Sequence, residues 1–567
     1  MTSKLAGEVY DISSQPLSRL SVRADPWRIG TFAIALVALL PVLAILWLAV
    51  FPTENIWPHL ISTSLPRYLK NTALLMLGVG ASVFLTGVST AYLISNFEFP
   101  LRRYFEWLLL LPLAFPAYVI AYLYTDLLEF AGPIQHGLRV MFDWQLATDY
   151  WFPDVRSMGG AIMLMGLVLY PYVYLMARAS FIEQSSYLSD ASRLMGRNMF
   201  KTFLFVSLPI ARPAIAIGVA LALMETLNDF GTVDFFAIHT LTAGLYDVWF
   251  NMGNLGGAAQ IASVMLTFVV LLLGLEFAGR RRRRFYQSAT RFIRTQRIPL
   301  TGKSKWLAFL MCAAPVVFGF LLPLGMLFDY AFRYFDESWN PAFRTYAFNS
   351  LFVSITAALV CITLAVLVCY TRRLYKDTAT GVAARIATLG YAMPGAVLAV
   401  GVVIPLASFD NIVDGFFRQY FGFSSGLLLT GTTFALIMTY TIRFLAISIG
   451  SVESSMSKIS ESMDMAARTL GHPAFRTLRL FHLPLLRGGI MTAALIVFVD
   501  CMKELPATLL LRPFNFDTLA THVYQFASDE MIEQSALGSL VIVLSGLLPV
   551  VLLSSTISRT QHLDKIE

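Results

Sequence analysis

Charged residues are scarce in this sequence. They make up 14% of its 567 residues, whereas hydrophobic residues make up 57%; an ordinary soluble domain carries about 25% charge. The mean hydropathy is +0.66. A single soluble core stops growing near about 250–300 residues, so this much apolar sequence needs a second solvent, and lipid is the obvious one. The composition excludes a disordered chain, argues against a soluble enzyme and predicts a membrane protein.

Residues for metal or nucleotide chemistry are also few or poorly spaced. The four cysteines show no paired spacing such as CxxC and fall in apolar segments, which is typical of small buried hydrophobes. The seven histidines form no close cluster. Gly302-Lys303-Ser304 looks like the end of a P-loop, but Arg297 stands where that motif needs a glycine. We therefore expect no cofactor, no ATP site and no enzyme activity in this chain.

Long apolar runs are what the sequence does contain. A helix that crosses a bilayer needs about 20 mostly apolar residues. Six candidate spans lie in the first half, at 29–51, 71–95, 107–127, 158–177, 208–230 and 261–278. Six lie in the second half, at 306–327, 349–370, 385–406, 427–450, 483–505 and 536–555. The predicted fold class is all-α, a polytopic membrane protein of about 12 transmembrane helices.

The basic residues predict the orientation. The tail 1–28 is polar and basic and lacks the apolar core of a signal peptide, so we place it in the cytoplasm. Twelve spans then put both termini and most of the 42 lysines and arginines on that side. The predicted halves are 29–279 and 306–567, joined by a basic linker at 280–305. We interpret the arginine run of this linker as a lipid anchor rather than a nucleic-acid patch.

The two halves repeat each other. Asn71 and Asn349 both open a span and lie 278 positions apart, and Pro116 and Pro394 have the same offset. Further pairs at an offset of 275 or 278 are Gly196 and Gly471, Pro209 and Pro484, Glu225 and Asp500, Asp229 and Glu504, Thr240 and Thr518, and Leu241 and Leu519. Each half has an even number of spans. The halves are therefore expected to be two parallel six-helix repeats about an axis along the membrane normal, with any pathway at their interface.

One repeated segment lies in a loop that the orientation places in the cytoplasm. It reads Asp190-Ala-Ser-Arg-Leu-Met-Gly, nine residues and Val-Ser-Leu-Pro in the first half, and Met465-Ala-Ala-Arg-Thr-Leu-Gly, nine residues and Phe-His-Leu-Pro in the second. Small residues allow close approach of another surface, the glycine lets the chain leave a short helix, and Leu-Pro suits the start of the next span. The pattern resembles the EAA-x3-G-x9-I-x-LP loop of the inner-membrane permease subunits of ABC importers.

This resemblance implies partners. In that family the short helix docks on an ATP-binding subunit, so two copies of such a subunit, carrying ATP and Mg, are expected on the two loops. A periplasmic binding protein is expected to deliver the cargo, and the chain is expected in the bacterial inner membrane. The implied coupling residues are Asp190, Ala191, Ser192, Gly196, Leu208 and Pro209 in the first loop and Asp464, Ala466, Ala467, Gly471, Leu483 and Pro484 in the second. Met465 stands where the family has an acid, so the two docking contacts are expected to be unequal.

Four acids fall within the fifth and eleventh spans. They are Glu225, Asp229, Asp500 and Glu504. Each pair is spaced by four residues, which predicts one helix face, and lies about 25–30 Å along the helix from the Leu-Pro step, near the outer side of the bilayer. Because hard cations prefer carboxylate oxygen, the four are candidate pathway residues and transient metal ligands. The alternatives are structural pairing with Lys503 and Arg443, or docking of the binding protein.

Local resemblance narrows the cargo. Segments 111–122, 225–231 and 503–519 look like those of the fused permeases of ferric iron importers. The resemblance implies a permease that moves ferric iron with energy from a separate subunit; the alternative is a thiamine or other small-solute permease of the same organisation. An ion-coupled secondary transporter or a passive channel would leave the two cytoplasmic loops without a role.

Overall fold

The structure described here is a computed structural model. It covers residues 25–184, 191, 192, 194–283 and 297–563, with side chains except those of 275–283 and 550–563. Asp190, most of the tail and the arginine run of the linker therefore lie outside the described residues or side chains. Within the described residues the regular secondary structure is helical apart from one parallel two-stranded ladder, β1 (Phe97–Glu98) with β2 (Ile298–Pro299). The predicted all-α class is confirmed.

The first half contains the described helices α1 to α12. They are α1 (Pro26–Val50), α2 (Trp57–Ser62), α3 (Leu65–Asn96), α4 (Arg102–Leu108), α5 (Ala117–Leu128), α6 (Pro133–Phe142), α7 (Met158–Ile182), α8 (Met199–Thr202), α9 (Leu208–Asn228), α10 (Gly231–Phe235), α11 (Leu241–Tyr246) and α12 (Leu255–Arg283). A 3-10 turn at Leu111–Ala114 precedes α5, and π-helical turns at Phe203–Ser207 and Asp247–Asn251 adjoin α9 and α11.

The second half contains the described helices α13 to α25. They are α13 (Gly302–Val316), α14 (Leu322–Arg333), α15 (Phe335–Ser338), α16 (Pro341–Leu374), α17 (Thr378–Ala387), α18 (Gly395–Phe421), α19 (Thr433–Met456), α20 (Glu461–Thr469), α21 (Ala474–Thr477), α22 (Leu483–Met502), α23 (Pro506–Leu511), α24 (Leu519–Ser528) and α25 (Ile532–Leu563). A 3-10 turn at Leu389–Ala392 precedes α18, and π-helical turns at Val317–Leu321 and Leu478–His482 lead into α14 and α22.

The number of spans agrees with the sequence prediction. Among the described residues, eleven helical segments are long and apolar enough to cross a membrane, and one bent pair brings the number to twelve. That pair is the third predicted span, where Arg102–Ala114 and Ala117–Phe142 meet at 90°. Pro116 stands at the break, because it lacks an N–H and forces Phe115 into an extended conformation. The ninth predicted span is divided in the same way at Pro394, so its membrane helix is α18.

The repeat seen in the sequence corresponds to a repeated contact. The Asn71 side chain donates a 3.0 Å hydrogen bond to the carbonyl of His239, and Asn349 donates one of 2.9 Å to the carbonyl of Asp517. The neighbouring hydroxyls of the two spans accept from the start of α11 and α24. These bonds are Leu241 N to Thr72 Oγ1 at 2.9 Å and Leu519 N to Ser350 Oγ at 2.7 Å. The repeated residues therefore bond equivalent short helices, α11 and α24, to equivalent spans in the two halves.

The first helix of each half packs on the other half. Helix α1 lies against α16, α17 and α18, and Gly401 in α18 admits it closely, since a Cβ there would lie 2.7 Å from Pro41. Helix α13 and the turn after it lie against α3, α4 and α7, where a Cβ at Gly319 would lie 2.8 Å from the carbonyl of Leu167. The two repeats are thus interlocked.

The segments that precede these two helices are anchored at equivalent places. Asp25 accepts a hydrogen bond from the Tyr375 hydroxyl, and Arg28 forms an ion pair with Asp377. The backbone N–H of Thr380 lowers the pKa of the Asp377 carboxyl, which favours its ionised form in that pair. At the corresponding point of the first half, β2 pairs with β1. Each half is therefore held to the other by its leading segment.

Candidate functional site

The four acids lie where two long helices end. Helix α9 ends at Asn228, so Glu225 is on the helix whereas Asp229 is beyond it. Helix α22 ends at Met502, so Asp500 is on the helix whereas Glu504 is beyond it. The prediction that both members of each pair lie on the helix is therefore corrected, because each helix ends between its two acids.

The two outer acids hold the turns that follow. Asp229 Oδ1 accepts hydrogen bonds from the backbone N–H groups of Thr232 at 2.9 Å and Val233 at 3.3 Å, and its Oδ2 accepts from the Thr232 hydroxyl at 3.0 Å. Glu504 Oε1 accepts from the N–H of Ala507 at 3.2 Å. A carboxylate satisfies the otherwise unpaired N–H groups at the start of a short helix and is favoured by its dipole. These acids therefore have a structural role as well as a place in the cavity.

A cavity lies between the halves at this level. It encloses about 880 Å³ of empty space, including the part open to solvent. All four acids line it. The other polar side chains of its wall are Asn228, Arg443, Lys503, Tyr118, Tyr172 and Tyr391. Both halves contribute, as the parallel repeat predicts for a pathway at the interface.

One cluster of contacts crosses between the halves beside this cavity. Arg443 lies with its Nε 3.5 Å from Glu504 Oε2, and both side chains are only 6% exposed. Arg443 Nη1 also donates a 3.0 Å hydrogen bond to Asn228 Oδ1, which accepts a second one of 2.6 Å from the N–H of Gly395. A Cβ at position 395 would lie 2.4 Å from Glu504 and 2.5 Å from Arg443. Only glycine leaves room for this arrangement, which we call the cross-half latch (Asn228, Gly395, Arg443 and Glu504).

The remaining two acids differ in their partners. Asp500 Oδ1 pairs with Lys503 Nζ at 2.8 Å. Glu225 makes no hydrogen bond and no ion pair within 4.0 Å with any described residue, although it lines the same cavity and interacts electrostatically with Arg443 and Lys503. The predicted pairing therefore exists between Asp500 and Lys503 and between Glu504 and Arg443. Glu225 forms no such ion pair with a described residue. Four acids against two bases also give the wall an excess of negative charge.

The four acids do not form a metal centre in this arrangement. Among the described residues, no group of three or more His, Cys, Asp or Glu side chains is placed to hold a metal ion. Three of the four carboxylates already bind protein groups. All four acids line the cavity, and their role as transient ligands of a passing metal ion stays a prediction.

Sequence reasoning missed part of this wall. Asn228 and Gly395 carry no charge and were indistinguishable from ordinary span residues, although each adjoins a repeated residue, Asp229 and Pro394 respectively. Tyr118 lies two residues after the repeated Pro116, and its place in the wall follows from the break in that span. The constant sequence offset between the two halves was the signal that could have identified these neighbouring residues.

The two coupling loops adopt matching turns. Gly196 has φ +81° and Gly471 has φ +77°, the left-handed conformation that favours glycine after a helix. The N–H of Arg197 bonds the carbonyl of Ser192 at 3.2 Å, and the N–H of His472 bonds that of Ala467 at 3.0 Å. The expected exit by glycine is confirmed in both loops.

The small residues of the motif divide into two faces. Ser192 and Ala467 are buried, whereas Ala191 and Ala466 are exposed. Large apolar side chains stand beside the exposed pair. They are Leu194, Met195, Met465 and Leu470, at 90%, 78%, 63% and 73% exposure. Each loop therefore presents an uncovered apolar surface next to a small residue.

The second loop is fixed by an acid. Asp464 accepts from Arg373 Nε at 2.6 Å and lies 2.6 Å from His482 Nε2. Arg373 also donates to the carbonyls of Met456, Ile459 and Ser460. Asp464 was predicted as a coupling residue, but its carboxylate is bound within this chain. Position 373 corresponds to Ser95 in the first half, so this charged clamp belongs to the second loop.

The Leu-Pro steps lie inside continuous helical segments. Pro209 and Pro484 sit in the first turn of α9 and α22, but the segments already begin at Met199 and Ala474. The preceding π-helical turns, Phe203–Ser207 and Leu478–His482, lead directly into each step. The prediction that each step begins its span is corrected to this extent.

Two interlocked six-helix halves around an acid-lined cavity, each with an exposed apolar loop, define a transport protein of the membrane. Residues 83–284 match the family described as binding-protein-dependent transport system inner membrane component. The match includes the first of the two loops and agrees with the family resemblance that the loops indicate.

Individual relatives extend the likeness over both halves. The Fe(3+)-transport system permease protein FbpB 2 of Haemophilus influenzae is 25% identical over 489 residues, which are 86% of this chain and 89% of that protein. The ferric transport system permease protein FbpB of Actinobacillus pleuropneumoniae is 20% identical over 76% of this chain and 63% of its own length. The molybdenum transport system permease protein ModB of Escherichia coli is 26% identical over 195 residues, 33% of this chain and 82% of that protein.

Proposed function

We propose that this chain is the membrane permease of an ATP-driven importer and that its cargo is ferric iron. The observation that carries the proposal is the cavity between the halves, whose wall holds four carboxylates against two basic side chains. Such a wall suits a hard cation, which prefers oxygen ligands. The likeness to a Fe(3+)-transport permease over 86% of the chain supports the same cargo.

The energy comes from a separate subunit in this proposal. Two copies of an ATP-binding subunit, with ATP and Mg, dock on the surfaces around Leu194 and Leu470. Both loops then face the cytoplasm, both termini lie on that side of the inner membrane, and a periplasmic binding protein delivers the ion from the other. The apolar exposure of these two loops supports docking there.

The cross-half latch gives the transport cycle a physical barrier. When the two ATP-binding subunits close, they move the loops and the halves shift against each other. The bonds from Asn228 to Gly395 and Arg443 must break for the halves to separate at the cavity. Arg443 and Glu504 both belong to the second half, so they move together, and their separation from Asn228 opens this pair to the arriving cation. Hydrolysis and subunit release allow the latch to form again.

Reconstitution tests this proposal. The permease is purified from native membranes with its co-purifying subunits and placed in nanodiscs, and ATPase activity is measured with the binding protein loaded with iron(III) or with thiamine. Stimulation by the iron-loaded protein is the expected result. Stimulation by thiamine alone would assign the other cargo, and uptake without any ATP-binding partner would refute the importer and favour an ion-coupled transporter.

A further inference from the structure

Tyr118 is closely packed in the cavity wall. It stands in the first turn of α5, directly after the break at Pro116, and is only 4% exposed. Gly231 lies against it, because a Cβ at that position would come within 2.7 Å of the Tyr118 Cβ and 2.9 Å of Leu505. The absence of a side chain at 231 therefore lets one element from each half close around the tyrosine.

The hydroxyl of Tyr118 has no hydrogen-bond partner within the described chain, and the oxygen is buried. Buried hydroxyls are nearly always partnered, and leaving one unpartnered costs about 1–3 kcal/mol. The same hydroxyl interacts electrostatically with the carboxylates of Glu504 and Asp229. A polar oxygen is therefore held beside two acids without a hydrogen bond from any described residue to offset its burial.

The chemistry of the surroundings identifies what this oxygen can bind. Asp229 and Glu504 each keep protein donors on part of the carboxylate, so a cation entering between them needs another oxygen. Phenol oxygen is a hard donor, and tyrosine is an established ligand of iron(III). A tyrosine phenol is also more acidic than a Ser or Thr hydroxyl, and a bound cation favours the anionic form of an oxygen or sulfur ligand.

We propose that the Tyr118 hydroxyl is an oxygen ligand for the ferric ion as it passes Asp229 and Glu504, an inference that rests on the function proposed above. On binding, an Fe–O bond replaces the phenol O–H bond, and the proton passes to solvent water in the open part of the cavity. No oxidant or reductant is required, because iron stays trivalent throughout.

The chain offers a matched control. Tyr122 is 1% exposed, lies one helical turn further along α5 and also has a buried hydroxyl without a partner in the described chain. Its ring centroid is 5.8 Å from that of Tyr118, but it is not among the residues that line the cavity. Tyr118→Phe and Tyr122→Phe therefore remove the same atom from similar surroundings, and only the first removes it from the cavity wall.

The experiment measures ferric uptake and iron binding in the complete reconstituted complex. Loss of metal-site partners commonly lowers affinity or activity by about 10–100-fold, so Tyr118→Phe is expected to lower ferric uptake by about tenfold or more, with Tyr122→Phe near wild type. Iron(III) nitrilotriacetate added to the wild-type complex should give a visible charge-transfer band of iron(III) phenolate, absent in Tyr118→Phe and present in Tyr122→Phe. Thermal unfolding should be unchanged in both variants, since neither loses a hydrogen bond within the protein.

Each other outcome is decisive. Normal ferric uptake by Tyr118→Phe, or equal losses in both variants, would overturn the inference while leaving the proposed function standing. A wild-type complex that takes up no ferric iron but responds to another cargo would refute the proposed function itself, and the ligand role would fall with it.

Discussion

Arg443 of the second half donates a 3.0 Å hydrogen bond to Asn228 of the first half, and this contact joins the halves beside the cavity. The arginine is also the ion-pair partner of Glu504, with both side chains nearly buried. A buried charge is stable only while its partner is present. Arg443 therefore couples the contact between the halves to the charge state of the cavity wall.

Removing that arginine is expected to destabilise the protein. Arg443→Met leaves Glu504 buried without its cation, which should lower the free energy of unfolding by about 3–5 kcal/mol. Thermal unfolding of the detergent-purified protein measures the change. The double variant with Glu504→Gln should recover most of the loss, because no unpaired charge remains. A single variant as stable as wild type would contradict the ion pair.

Neutralising Glu225 is expected to reduce transport without reducing stability. Since this carboxylate has no ion pair or hydrogen bond in the described chain, Glu225→Gln should leave thermal unfolding unchanged while lowering ferric uptake by about tenfold or more. Asp529→Asn serves as the control, because Asp529 is exposed and does not line the cavity. Should uptake survive in Glu225→Gln, Glu504→Gln and their double variant, the acids are not pathway residues.

Alanine at the two loop glycines is expected to impair coupling. A left-handed backbone conformation costs about 1–2 kcal/mol for a residue with a Cβ. No atom lies within 4 Å of a Cβ built at Gly196 or Gly471, so strain rather than a clash is the cause. Co-purification of the ATP-binding subunit and its stimulation by the loaded binding protein should both fall. Gly488→Ala, with equal space around it on α22, should be neutral. A defect of the same size in this variant would contradict backbone strain as the cause.

The charged clamp on the second loop predicts a difference between the loops. Arg373→Met removes the partner of Asp464 and three bonds to backbone carbonyls, so hydrogen exchange should rise across α20. Exchange in the first loop, at 194–202, should stay as in wild type. The control is Arg372→Met, whose ion pair with Glu453 is 40% and 50% exposed and contributes little. Equal increases in both loops would show that the clamp does not act locally.

Local and repeated features of this protein are readable from its sequence. Spans follow from apolar runs of fixed length, and the loops follow from small residues and a glycine at fixed spacing. The offset between Asn71 and Asn349 predicted equivalent positions, and in the structure the two asparagines bond equivalent carbonyls. These predictions succeeded because each depends on residues close together in the chain or on a simple repeat.

Long-range packing was not readable in the same way. Arg443 and Asn228 are 215 positions apart, and nothing in either span indicates that they meet. The spacing of Glu225 and Asp229 suggested one helix face, but the helix ends between them, and only the packing of the following turn decides that. Asp464, one position before the Met465 that replaces the family's acid, was predicted to be a coupling residue, whereas its partners, Arg373 and His482, come from other segments. Tertiary partners settle the role of a charge in each case.

The packing of each half's first helix on the other half has a consequence for how the protein is synthesised. The surface that α1 covers is formed by α16 to α18, and roughly 300 residues are translated between Val50 and the first of these helices. Helix α1 also contacts α12 of its own half, but at about 5–20 residues per second it waits on the order of tens of seconds in the membrane before these second-half partners exist. Final assembly of the first half must therefore follow synthesis of the second. A single polypeptide guarantees that the late partner arrives in the same patch of membrane and in equal number.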